Sequence, residues 1–209
     1  MKRVLSVLAC AALAGLAGCS GTTGGAAGPA RTPGQSAPSA APTSAAADQV
    51  PGPGVPKVEN PIDTDKFKKA PCDTLTPAQA DSLVGKGVTP KTDLKAPAGP
   101  ACAWHSQAHI IVVFPNVDNL GLTSVYRAKG TTYPLFMPLD PIDGYPIVAY
   151  GQVDERASEG RCDVEFGTSD REGVVVSISQ SPEKKGSQDP CQSARSVAQM
   201  VLGNLKGGQ

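Results

Sequence analysis

Arg161-Cys162-Asp163-Val164-Glu165-Phe166-Gly167, followed after a polar interval by Gly173-Val174-Val175-Val176-Ser177-Ile178-Ser179, is the stretch on which the fold turns. Cys162, Val164 and Phe166 alternate with Asp163 and Glu165, the period of two expected of a strand with one apolar and one polar face. Val174, Val176 and Ile178 continue the alternation in a second strand, and Ser169 to Gly173 reads as the hairpin turn between them. A lone hairpin has nothing to bury its apolar face against, so the flanking sequence must supply more strands and a cover.

The cover lies downstream. Asp189-Pro190 places an N-cap aspartate before a proline at the first helical position. Cys191, Ala194, Val197, Ala198, Val201, Leu202 and Leu205 then fall at steps of three and four, a single apolar stripe on an amphipathic helix. Cys191 lies on that stripe, so its sulfur points inward.

Upstream, Cys102 and Trp104 share one face of a strand, and Ile110-Ile111-Val112-Val113-Phe114 is an apolar run predicted to be buried on both faces. Gly144 to Val153 reads as another strand, opened by the turn pair Asp143-Gly144. Thr76-Pro77-Ala78-Gln79 predicts a capping box and a short helix that ends near Gly85. A second short helix is predicted over 120–127, where Gly121 weakens the pattern. The expected fold is α+β: one domain with a mainly antiparallel sheet, a short N-terminal helix, a C-terminal amphipathic helix packed on the sheet, and two disulfides.

The beginning of the chain is of a different kind. Lys2 and Arg3 precede an apolar run from Val4 to Leu16, too short for a permanent membrane span of roughly twenty residues. The run ends in Leu16-Ala17-Gly18-Cys19, the form of a lipobox, in which small residues admit a peptidase and the cysteine thiol is acylated. The expected division is a signal peptide over 1–18, a lipidated Cys19 with a disordered tether to residue 56, and an extracytoplasmic domain over 57–209. From Ser20 to Pro56, 31 of 37 residues are Gly, Ala, Pro, Ser or Thr and none is aromatic. Such a stretch cannot bury enough apolar surface to offset its ordering entropy. As a flexible coil it would span about 35 Å. Each buried methylene of an anchor contributes about 0.8 kcal/mol, so the two or more acyl chains of a lipoprotein hold it stably.

Four cysteines remain beyond the signal and the anchor: Cys72, Cys102, Cys162 and Cys191. An even number in an exported domain predicts two disulfides. Three connectivities are open. Cys72–Cys102 with Cys162–Cys191 is favoured, because each closes a loop of about thirty residues within one half of the chain, contributing about 3.5 kcal/mol in the loop-entropy model. No short Cys-x-x-Cys pair points to zinc instead.

Several motifs now stand in order: Pro71-Cys72-Asp73-Thr74-Leu75-Thr76, Cys102-Ala103-Trp104, Gly144-Tyr145-Pro146, and the Asp189-Pro190-Cys191 helix with Ala194, Ala198 and Leu202. Behind a lipobox and a Pro/Ala tether, this set resembles the actinomycete lipoproteins grouped as domain of unknown function 3558, over roughly residues 60–205. The resemblance implies an envelope location and a shared fold. It carries no reaction and no catalytic residues.

The residues themselves argue against most chemistry. Removing Lys2 and Arg3 leaves 17 basic and 19 acidic residues with no basic block, so nucleic acid is a poor partner. His105 and His109 are the only histidines and flank the Ser106-Gln107-Ala108 turn. They suggest a shared metal ion, although a catalytic zinc takes three protein ligands and water. No Gly-x-Ser-x-Gly elbow and no phosphate-cradling glycine loop occurs. Paired carboxylates remain open, and Asp154, Glu155 and Glu159 cluster in one polar loop.

Tyr133 to Pro146 is the unusual region, with Pro134, Pro138, Pro141 and Pro146 among Tyr133, Phe136, Met137 and Tyr145. The prolines predict an irregular preformed loop whose four large side chains rim a ligand or partner site. The expectation is therefore a non-enzymatic module without cofactor, anchored to membrane lipid through acylated Cys19 on the extracytoplasmic face, that binds a small ligand or another envelope protein. An envelope hydrolase using unassigned carboxylates and a metal-binding lipoprotein using His105 and His109 are the alternatives.

Overall fold

The structure, a computed structural model, describes residues 49–207. The expected signal peptide, Cys19 and the expected tether as far as residue 48 lie outside the described residues. Seven strands form one antiparallel sheet: β1 (Lys91–Asp93), β2 (Ala101–His105), β3 (His109–Val113), β4 (Leu135–Ile142), β5 (Tyr145–Gly151), β6 (Arg161–Gly167) and β7 (Gly173–Ser179). Their order across the sheet is β1-β2-β3-β7-β6-β5-β4. The 161–179 hairpin is thus the middle of the sheet, with Val164 opposite Val176 and Phe166 opposite Val174.

Four helices accompany it: α1 (Asp65–Lys69), α2 (Pro77–Val84), α3 (Leu122–Arg127) and α4 (Pro190–Gly207), with a 3₁₀ turn over Pro71–Thr74. The apolar stripe of α4 is buried along its length, from Cys191 to Leu205. It packs on the face of β6 and β7 that carries Val164, Phe166, Val174 and Val176. Each fully buried valine, leucine or phenylalanine there contributes about 1.5–3 kcal/mol. α2 begins with the expected capping box, as Thr76 Oγ1 accepts from Gln79 N and Gln79 Oε1 accepts from Thr76 N. It ends at Gly85, where φ is +95°. Cys72 is bonded to Cys102, and Cys162 to Cys191. The first ties the 3₁₀ turn to β2; the second ties the start of β6 to the first turn of α4.

Four local expectations are corrected. Residues 49–56 belong to the folded domain rather than to a tether. Gly52 is buried, its N–H donates to Thr123 Oγ1 at 3.1 Å, and Arg127 reaches Gln49 O at 3.3 Å. A Cβ at Gly52 would lie 2.9 Å from Thr123 Cγ2, so glycine there allows the approach. Prolines restrict this segment before it docks, which lowers the entropy lost.

Tyr133 to Pro146 is not an irregular loop. Most of it is β4, an edge strand, joined to β5 by Asp143 and Gly144 with φ of +49° and +86°. An edge strand has N–H groups that need no partner, so Pro138 and Pro141 are tolerated. The register shifts between Leu139 and Ile142, leaving Pro146 opposite a bulge. Arg195 of α4 donates to the carbonyls of Asp140 and Pro141 in that bulge, at 2.9 and 3.0 Å.

The apolar run on β3 is fully buried on one face only: Ile110 and Val112 are buried, whereas Ile111 and Val113 are half-buried. The polar face of β6 is not polar in its surroundings either. Glu165 is 2% exposed. It sits opposite Val148 and Val175, on the face over which α3 lays Leu122 and Val125. α3 comes close because Gly121 (φ +50°) abuts the 169–172 turn, where a Cβ would stand 2.8 Å from Asp170 O.

Candidate functional site

A crevice lies between α2 and α4, over the ends of β3 and β7. It encloses about 500 Å³, within the range of small-molecule sites. Near the end of α4, Asn204 Nδ2 donates to Thr74 O (2.9 Å) and to Gln79 Oε1 (2.7 Å), which fastens it to the start of α2. Toward the other end of α2, Leu83 lines the gap together with Ser193, Ser196 and Val197 of α4. Ser106 Oγ holds the last carbonyl of α2, Val84 O, at 2.6 Å, so the β2–β3 turn forms a wall.

The floor is apolar: Ile110 of β3, Ile178 of β7, Leu83 and Val197. The rim is polar and almost neutral. It carries Ser181, Ser193 and Ser196, the amides of Gln180, Gln188 and Gln192, and one charge of each sign in Lys184 and Asp189. Gln180 Nε2 donates to Gln188 O (3.1 Å) and Ser193 Oγ (3.3 Å), which fixes the orientation of that amide. Asp189 Oδ1 accepts from the N–H groups of Cys191 (2.7 Å) and Gln192 (3.1 Å), capping α4.

A second cavity of about 430 Å³ opens on the opposite face of the sheet, beside Tyr133, Tyr150, Arg161 and Asp163. Arg161 spans it, bridging Asp163 at 3.2 Å and Glu155 at 3.6 Å. Burial first, and then the negative field of Glu165 and Asp163, raise the phenol pKa values of Tyr133 and Tyr150. Glu165 is closed off below this surface. Its Oε1 has no hydrogen-bond partner, and burial pushes its carboxyl up to about 8, so it is protonated at neutral pH. Asp154, in the nearby loop, is held down at about 2 by hydrogen bonds from Arg156.

The four residues expected to rim one site do not meet. Successive residues of a strand point to opposite faces. Tyr133 packs edge-on against Tyr150 at 4.7 Å and Phe136 against Tyr126 at 4.9 Å, both on the α3 side. Met137 packs instead against the main core on the α4 side. Tyr145 is buried in that core, and its Oη donates to Asn60 O at 2.8 Å. None of the four lines the α2–α4 crevice.

His105 and His109 are paired across β2 and β3 with ring centroids 4.8 Å apart, and His109 Nε2 lies 3.0 Å from Ser106 O. Among the described residues no group of three His, Cys, Asp or Glu side chains is placed to hold a metal ion. The carboxylates Asp154, Glu155 and Glu159 are engaged by Arg156, Arg161 and Lys185 respectively. The crevice itself was missed in the sequence. Its only local signal is the run of Gln192, Ser193 and Ser196 beside the apolar stripe of α4, which looks like any solvated helix face.

No curated protein and no solved structure matches this chain. A family model described as "Protein of unknown function (DUF3558)" matches residues 14–204, nearly the whole sequence and all of the elements described above except the last turn of α4. The chain belongs to that family.

Proposed function

We propose that this protein is an envelope lipoprotein, held by acylated Cys19 on the extracytoplasmic face of the cell membrane, and that its domain binds a small ligand in the α2–α4 crevice without transforming it. The observation that carries the binding reading is the crevice: an apolar floor under a rim of hydroxyls and amides, in the size range of ligand sites. Such a cleft suits a small molecule better than a protein partner, which needs a broad surface. The non-enzymatic part rests on what lines it. His109 turns its Nε2 to Ser106 O rather than to a serine hydroxyl, so no nucleophile–base pair is assembled at the crevice.

The anchoring part rests on the lipobox at 16–19, on the Gly/Ala/Pro/Ser/Thr segment behind it, and on four cysteines suited to an oxidising compartment. The family match, which begins at residue 14, includes Cys19.

Two measurements test the two parts. Intact mass and detergent-phase partition of the chain from its producing cell should show an acylated protein in the membrane fraction, with the Cys19→Ala variant released. An unmodified wild-type chain in the aqueous phase would refute the anchor. For the crevice, the neutral fluorophore N-phenyl-1-naphthylamine should bind saturably to the full chain, and Ser196→Trp should abolish binding by filling the gap. Absence of binding, or binding indifferent to that substitution, removes the ligand reading.

A further inference from the structure

The chemistry of the crevice narrows what it takes. We propose that its ligand is a neutral amphiphile: an apolar chain laid on Leu83, Ile110, Ile178 and Val197, carrying an uncharged, hydroxyl-bearing head group against Ser181, Gln192, Ser193 and Ser196. The inference rests on the ligand-binding reading and adds the class of ligand.

The tail follows from the apolar part of the lining, Leu83, Ile110, Ile178 and Val197, of which Ile110, Ile178 and Val197 belong to the buried core. The head follows by elimination among charges. An anionic head would seek the free N–H groups at the start of α4, but Asp189 Oδ1 already accepts from Cys191 N and Gln192 N, and its own charge repels a second anion. A cationic head finds only that same aspartate among the lining carboxylates, and its Oδ1 is already engaged in the cap. Lys184 and Asp189 both line the crevice, and together they bring the formal charge of its lining to zero.

What remains is an arrangement of groups that both donate and accept. Ser196 Oγ donates to Gln192 O (3.0 Å) and Ser193 Oγ donates to Asp189 O (3.2 Å), which leaves Ser196 oxygen lone pairs facing outward as acceptors. Ser181 lines the crevice edge, and its hydroxyl makes no side-chain hydrogen bond among the described residues. Hydroxyl groups of a ligand answer both needs, because each donates one bond and accepts two.

The only tryptophan of the chain reports on this place. Trp104 is buried and pairs in register with Ile110 of the lining, so a change in its fluorescence on filling of the crevice is the expected readout. The test titrates the full chain, below micelle formation, with three probes sharing a dodecyl-length chain: dodecyl maltoside, dodecanoate and dodecyltrimethylammonium. Maltose alone is the fourth arm. The expected order puts dodecyl maltoside at least about tenfold tighter than either charged probe, with maltose too weak to measure. A Ser181→Ala, Ser196→Ala double variant should lose about tenfold for dodecyl maltoside and nothing for dodecanoate, which also shows that the variant remains folded.

Preference for a charged probe, or equal affinity for all three, overturns the neutral-head assignment while leaving an apolar site in place. Maltose binding as tightly as its dodecyl derivative overturns the chain. If neither dodecyl maltoside nor N-phenyl-1-naphthylamine binds, the ligand-binding reading itself has failed.

Discussion

Asn204 donates from Nδ2 to Oε1 of Gln79 over 2.7 Å, and through that bond the end of α4 is fastened to the beginning of α2. The same Gln79 oxygen accepts from Thr76 N, and the Asn204 amide also reaches Thr74 O. One asparagine therefore links the C-terminal helix, a capping box and the 3₁₀ turn that carries Cys72. The crevice opens beyond this tie, between Leu83 of α2 and the Ser193, Ser196 and Val197 side chains of α4.

Asn204→Ala should cost about 1–3 kcal/mol, since it removes two hydrogen bonds and leaves the Thr74 carbonyl without this donor. Urea unfolding of the oxidised protein gives the number. The same variant should weaken binding of N-phenyl-1-naphthylamine, because the bonds that fix α4 against the start of α2 are lost. Unchanged stability and affinity would show that packing alone positions α4.

Glu165 sets a pH dependence of unusual sign. Its folded pKa, about 8, lies above the ordinary value of 4.5 because burial disfavours the carboxylate. Between those two values the unfolded chain has released the proton and the folded chain keeps it, so stability falls as pH rises, by at most about 1.4 kcal/mol per unit. Glu165→Gln should remove that slope and raise the Tm most at pH 8. The lowered Asp154 acts in a separate window, below its ordinary 3.8, where stability is lost as pH falls. Parallel Tm curves for wild type and Glu165→Gln between pH 5 and 8 would contradict the assignment.

Gly173 and Glu165 compete for the same space. A Cβ at position 173 would stand 2.5 Å from Glu165 Oε1 and 3.0 Å from Phe166 O. Gly173→Ala should therefore destabilise by about 1–3 kcal/mol, the usual cost of overpacking. In a Glu165→Ala background the same change should cost less, and the double-mutant cycle should give a coupling of about 1 kcal/mol. Additive effects would mean that the backbone contact with Phe166, not the carboxyl, is the obstacle.

The two disulfides are expected to contribute separately. Cys72→Ser with Cys102→Ser, or Cys162→Ser with Cys191→Ser, should each cost about 3 kcal/mol, because both bridges close loops of similar length, with separations of 30 and 29. Only the second pair should alter the crevice, since Cys191 begins the α4 turn that bears Asp189, Gln192 and Ser193. Guanidinium unfolding and fluorophore titration of the two double variants separate these effects.

The primary sequence carried the local architecture without help. The two strands around Cys162 and Val174, the stripe from Cys191 to Leu205 and the capping box at Thr76 are each encoded within a few residues, and each appears in the structure. Local chemistry determines such elements because their hydrogen bonds and periodicities are closed within the segment. The strand order, the burial of Glu165 under α3, the separation of Phe136 and Met137 to opposite faces, and the crevice between α2 and α4 depend on partners far away in the chain. A glutamate at a polar position of an alternating strand looks solvated until another element covers it. A gap between two helices has no residue of its own; it exists only once Asn204 has met Gln79, 125 positions away.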